Sequence, residues 1–249
     1  MKRTTVFGLV TFAAAATLLA AESSPKEAIT GAAAKLAQQD NYSWKTTTEF
    51  GNFTGVSDGK TQKDGLVGLS MKFGDNTTEA FVKDGKGAVK TGDQDWQSLA
   101  ELAGAGGGGP GRGQFLLRRL QTFKAPAAEA SDFAGKTKEL KKDGEAYASD
   151  LTEAGAKELL TFGGRRGGNA PEPKNAKGSV KFWVKDGLLA KYELKLQGTV
   201  TFNGEDRDMD RTTTVEIKDV STTKVDVPEA AKTKLSAAPP EAPKEGSKS

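Results

Sequence analysis

Residues 179–202 read SVKFWVKDGLLAKYELKLQGTVTF, and this stretch decides the fold class. Val180, Phe182 and Val184 fall on one side of an extended chain, and Lys181, Trp183 and Lys185 on the other. This is the period-two pattern of a half-buried strand. Asp186-Gly187 then separates it from a second run, Leu188 to Gly198. Asp-Gly between alternating runs signals a two-residue hairpin, because a type I′ turn needs positive φ at both central residues. The pattern recurs where 76–83 and 86–91 flank Asp84-Gly85, and where 136–142 and 145–151 flank Asp143-Gly144.

Further strands are expected at 41–50, where Tyr42, Trp44, Thr46, Thr48 and Phe50 alternate, at 65–74 with Val67, Leu69, Met71 and Phe73, and at 211–220 and 224–228. The pattern therefore predicts about nine to eleven antiparallel strands, and the lack of regular strand–helix alternation argues against a doubly wound nucleotide-binding fold. Helical spacing is confined to four places: 25–38 after Pro25, 95–103 with Asp95 as its cap, 113–124, and a short segment capped by Thr152. In the third, Phe115, Leu116, Leu120 and Phe123 form a stripe opposite Arg118 and Arg119. Glycine-rich stretches at 104–113 and 163–178 bracket that basic amphipathic helix, so it could swing on them.

Composition excludes much chemistry. The 249 residues hold no histidine and no cysteine, so no Ser-His-Asp or Cys-His relay can be built. No imidazole or thiolate is present to hold zinc or haem, and no cofactor is implied. Leu, Ile, Val and Phe together number 47 while glycine alone contributes 30, so a thin core is expected. The net charge of +3 is too small for a nucleic-acid footprint.

Three local motifs resolve to ordinary structure. Gly104, Gly106 and Gly109 follow a helix instead of a strand, so they do not form a dinucleotide loop. Asp206, Asp208 and Asp210 lack the glycine and glutamate of a calcium loop and read as a polar loop between strands. Ser221 to Lys224 has no helix to carry a serine–lysine nucleophile. A non-catalytic protein is expected.

The ends stand apart. Met1-Lys2-Arg3 and the apolar run from Val6 to Ala21 have the parts of a secretory signal peptide with cleavage near Ala21. Residues 229–249 are rich in Pro, Ala, Lys, Glu and Ser and are expected to be a disordered tail. A single domain is left at 22–228.

The closing section, SVKFWVKDGLLAKYELKLQGTVTF followed by TTTVEIKDVSTTKVDVPEAA, resembles that of the periplasmic lipoprotein-carrier superfamily, comprising LolA-like proteins and their LppX/LprG-type lipid-binding relatives. The opening AAAKLAQQDNYSWKTTTEF is similar to the family's helix-then-strand entry. The resemblance implies an α+β fold, a half-open antiparallel β-barrel curved around a few central helices, whose concave face holds acyl chains. The cysteine that anchors LppX/LprG-type relatives is absent, so a soluble periplasmic form is expected.

The expected role is burial of a hydrophobic or lipid-like ligand, or of a lipidated protein, with Trp44, Leu69, Met71, Trp96, Phe115, Leu116, Leu120 and Tyr192 lining the cavity. Arg112, Arg118 and Arg119 are candidates for a headgroup. The alternative is an envelope scaffold that binds a protein partner without a cavity.

Overall fold

The computed structural model describes residues 24–74, 76–104, 112–161, 172–202 and 204–236. The expected signal peptide, most of both glycine-rich stretches and the end of the tail lie outside them. In chain order the elements are α1 (Pro25–Ala37), β1 (Asn41–Phe50), β2 (Phe53–Gln62), β3 (Val67–Phe73), β4 (Asn76–Lys83), β5 (Lys86–Thr91), β6 (Gln97–Ser98), α2 (Leu99–Gly104), α3 (Arg112–Gln121) and α4 (Pro126–Gly135). They continue as β7 (Lys141–Asp143), β8 (Ala146–Asp150), α5 (Glu153–Leu160), β9 (Lys174–Lys185), β10 (Leu188–Phe202), β11 (Glu205–Lys218) and α6 (Glu229–Leu235).

All 11 strands form one sheet in the order β6-β5-β4-β3-β2-β1-β11-β10-β9-β8-β7. Two meanders, β1–β6 and β7–β11, are stitched by the antiparallel pairing of β1 with β11. The sheet is open, and its edges β6 and β7 are only two and three residues long. Short edges offer little unpaired backbone to another chain.

The turns obey their residues. Asp84-Gly85 and Asp186-Gly187 have positive φ at both positions, 50° and 74° in the first and 52° and 75° in the second, as type I′ requires. The third hairpin slips by one residue. Asp143 pairs with Ala146, so Gly144-Glu145 is the loop, and only Gly144 (φ 61°) takes the left-handed conformation.

Register puts the apolar side chains on one face. Trp44 stands opposite Gly59 and Ile217, Leu69 opposite Gly59 and Ala80, and Val215 opposite Thr46 and Tyr192, which itself faces Phe182. Directly paired residues share a face. Helices α1 and α4 lie over this face. Ile29, Ala32, Ala33 and Leu36 of α1 are buried, as are Ala127, Ala130, Phe133 and Ala134 of α4. The two helices pack on each other, with α1 on β10. Small side chains at that seam let the backbones approach closely.

Several expectations are corrected. The strand expected at 136–142 is interrupted: Lys136 caps α4, Thr137 makes only an isolated bridge to Leu151, and the continuous strand is 141–143. Residues 224–228 form no strand, since both edges of β1 are already taken and Asp219 (φ 47°) and Ser221 (φ 61°) turn the chain away. Instead Val225 packs on the outer face beside Gly68 and Phe81. The tail expected from Glu229 opens as α6, with Ala231 fully buried, against β4, β5 and β6.

α2 starts at Leu99, and its cap is Ser98 instead of Asp95. The Glu101 amide donates to the Ser98 hydroxyl at 3.1 Å while the Glu101 carboxylate accepts the Ser98 amide at 2.6 Å, a capping box. The expected acidic loop at 206–210 is strand. Thr201, Thr199 and Gln197 donate across the ladder to Asp206, Asp208 and Asp210 at 2.6, 2.9 and 3.0 Å.

Candidate functional site

The covered face has two halves with different lids. Over β9–β11 the packing is dense: Phe182, Tyr192 and Leu196 have no accessible surface, and Phe133 of α4 meets the Tyr192 ring edge-on at 5.8 Å. Over Trp44 of β1 the cover is the turn that follows the amphipathic helix α3. Phe123 stacks on Trp44 with ring centroids 6.1 Å apart and an 18° tilt. Leu120 is buried in the same core, and Leu116 and Leu117 pack half-buried against it.

Register separates the expected cavity residues. Trp44 and Leu69 share one row, and Met71 lies in the next, all beneath the α3 side. Tyr192 occupies the Met71 row, but Ser57, Thr46 and Val215 intervene, about 19 Å at the usual strand spacing. Trp96 is on the other face. It packs on Phe81 at 5.5 Å, and Phe81 alternates with Ala80, which pairs with Leu69. The side chains of Phe115 and Arg112 lie outside the described residues. Trp183 is also on the outer face, half-buried, with the Lys191 ammonium 4.9 Å above its ring.

Between the two lids sits a charged cluster. The Tyr192 hydroxyl donates to the Glu129 carboxylate of α4. Arg119 of α3 and Arg211 of β11 both attract that carboxylate. Burial dominates each group: it pushes the Glu129 carboxyl above its ordinary value, lifts the Tyr192 hydroxyl well above its own, and lowers both guanidiniums. Tyr42 closes the inner side. Its hydroxyl, pushed up to about 12 by burial, accepts the Ala127 amide at 3.5 Å, satisfying one of the open donors at the start of α4.

Glu129 and Arg211 are set deep among protein atoms yet keep part of their surface accessible, and Arg119 keeps more. Of the expected headgroup arginines, Arg119 joins this cluster and Arg118 is half-buried on α3. Glu129 and Arg211 escape sequence reading. Pro126, at the first position of α4, is the signal that could have revealed the helix carrying Glu129. Among the described residues, no three His, Cys, Asp or Glu side chains are grouped to hold a metal ion, and no helix is long and apolar enough to cross a membrane.

No known family model matches the chain, and no curated protein matches it. Among solved structures it is similar to LprF from Mycobacterium bovis, with a TM-score of 0.42 and 10% identity over 83% of this chain and 97% of that one. It is similar to a chain of the Pseudomonas aeruginosa MucA/MucB complex, with a TM-score of 0.30 and 13% identity over 88% and 99%. A DUF1329 family protein from Desulfovibrio piger matches with a TM-score of 0.26 and 9% identity over 80% and 94%.

Proposed function

We propose that this is an exported, non-catalytic binding protein that holds a hydrophobic, lipid-like ligand against the covered face of β1–β5, beneath α3. The supporting observation is the lid itself. Trp44 of this surface is covered by Phe123, in the turn that follows the ten-residue amphipathic helix α3, whereas the other half lies under the α1–α4 pair.

Replacing α3 by an acyl chain exchanges one apolar cover for another. Binding is then driven by apolar surface removed from water, at roughly 25 cal/mol per Å². Export is supported by the basic start and apolar run of residues 1–21. Titration of the purified protein with an environment-sensitive fluorescent fatty acid tests the reading. A saturable signal with one ligand per chain is expected, and a linear, unsaturable response overturns it.

A second reading, a partner-binding module, is favoured by one observation. Phe50 and Phe53, paired at the tip of the β1–β2 hairpin, are 40% and 46% exposed. Loss of binding to envelope extracts on Phe50→Ser and Phe53→Ser, with acyl binding absent throughout, would select it.

A further inference from the structure

Phe50 and Phe53 pair across the Gly51-Asn52 turn of the β1–β2 hairpin, and they are 40% and 46% exposed. Alternation along β1 puts Phe50 on the face of Trp44, about 20 Å further along the strand. The other hairpins that turn at this end repeat the residue. Phe73 closes β3 opposite Asn76, in the alternation of Leu69 and Met71. Phe202 closes β10 opposite Glu205, in the alternation of Tyr192 and Leu196. These positions all fall on the face that carries the core. β10 and β11 run on past the level of Phe50, so the tips form a slanted rim.

The opposite end of the sheet has a different chemistry. Its turns are Lys63-Asp64-Gly65, Asp84-Gly85 and Asp186-Gly187, and Lys83 reaches Asp64 at 2.5 Å. Phenylalanine at the hairpin tips is thus a property of one end. The charges at that end close on each other, Arg207 on Glu205 at 3.2 Å and Lys174 on Asp206 at 2.8 Å. Asp208 and Asp210 add further negative charge beside them. Among the described residues the rim offers no basic patch to an anionic surface.

Area selects the occupant. A phenylalanine carries about 200 Å² of surface, so Phe50 and Phe53 together present about 170 Å². A second copy or another stable protein partner buries about 800 Å² on each side, far more than two rings supply. A lipid interface asks for less, since a few apolar side chains at the boundary of headgroups and acyl chains give reversible contact.

We propose that the Phe50–Phe53 end of the sheet docks on a neutral phospholipid bilayer, with the two rings at the headgroup–acyl boundary. The purpose of the contact rests on the acyl-binding reading: the face that meets the lipid continues along β1 to Trp44, so the bilayer is the source or the destination of the acyl ligand.

The chain has no cysteine, so a single reporter can be placed at either end. Asn52→Cys and, at the opposite end, Lys63→Cys each carry an environment-sensitive NBD label and are mixed with phosphatidylcholine vesicles. The label at 52 should brighten and shift to the blue, the label at 63 should stay as in buffer, and added salt should change neither. In vesicle flotation, the partition constant of Phe50→Ser/Phe53→Ser should be about tenfold lower than that of wild type. Its affinity for a soluble fluorescent fatty acid, measured without vesicles, should equal that of wild type.

A silent label at 52, or one that responds only to anionic vesicles and reverses with salt, overturns the docking surface, while saturable fatty-acid binding leaves the acyl reading in place. Equal responses at 52 and 63 overturn it as well, because adsorption is then indiscriminate. A response confined to 52 with no fatty-acid binding keeps the docking surface and removes the acyl reading. Retention of an envelope protein that needs Phe50 and Phe53, with no response to vesicles, gives the tip to a protein partner and overturns the lipid surface.

Discussion

The indole of Trp44 lies across the backbone of Gly59, its partner on β2, so closely that a β-carbon at residue 59 would sit 2.1 Å from Trp44 Cζ2. No side chain fits there. Gly59→Ala must tilt the indole and disturb its stack on Phe123, at a cost of about 1–3 kcal/mol. Denaturant unfolding followed by tryptophan emission should show a lower midpoint and an altered native spectrum. An unchanged midpoint contradicts this packing.

The lid makes the second prediction. Phe123→Ala removes the ring that stacks on Trp44 and should destabilise by roughly 1–3 kcal/mol, less than a fully buried phenylalanine because Phe123 is half-buried. Amide exchange in 112–121 should quicken more than in α1. Phe81→Ala, on the outer face beside Trp96, should leave acyl binding intact. Equal loss of binding in both variants would contradict the assignment of faces.

Glu129 predicts a pH dependence. Its folded pKa is raised, chiefly by burial, so the folded state binds the proton more tightly than the unfolded chain. Stability therefore falls as pH rises from the ordinary value of 4.5 through the raised one. Glu129→Gln keeps an acceptor for Tyr192 without a charge to desolvate, and it should raise the unfolding temperature at neutral pH. The gain should vanish near the ordinary carboxylate pKa. A variant less stable at neutral pH would contradict it.

Glu101 shows the opposite sign. Its carboxylate, held by Lys234 of α6 first and by Ser98, is lowered to about 2 from 4.5. Its contribution is present above the unfolded value and is lost as pH falls from about 4.5 toward about 2. Because the pair is exposed, the effect should be small and weakened by salt. Urea midpoints of wild type and Lys234→Ala should converge across that window, and a constant difference would count against the contact.

What was legible in the sequence follows from range. The Asp-Gly turns and the alternation of 41–50 and 179–198 are local, and they give most of the sheet. β2 was hidden because Gly55, Gly59 and polar residues replace its inward apolar set, and the reason for Gly59 is Trp44 on another strand. α4 was hidden because its buried face is mostly alanine, with Phe133 as its one large apolar residue, which carries little periodic signal. Arg211 follows the acidic run of β11, and only the distant pairing of β1 with β11 places it beside Phe50. Trp96 falls on the other face because the chain is still extended there, where its helical spacing with Leu99 and Leu102 predicts the first turn of α2.

The central claim is that an acyl chain lies between α3 and the Trp44–Leu69–Met71 surface. A fatty acid carrying a mid-chain diazirine, photolysed in complex with the intact protein and mapped by peptide mass spectrometry, tests it most directly. Labels competed by unmodified fatty acid should fall in 41–50, 67–73 and 112–123. Labels confined to the outer face around Phe81, Trp96 and Val225, or no competable label at all, would contradict it.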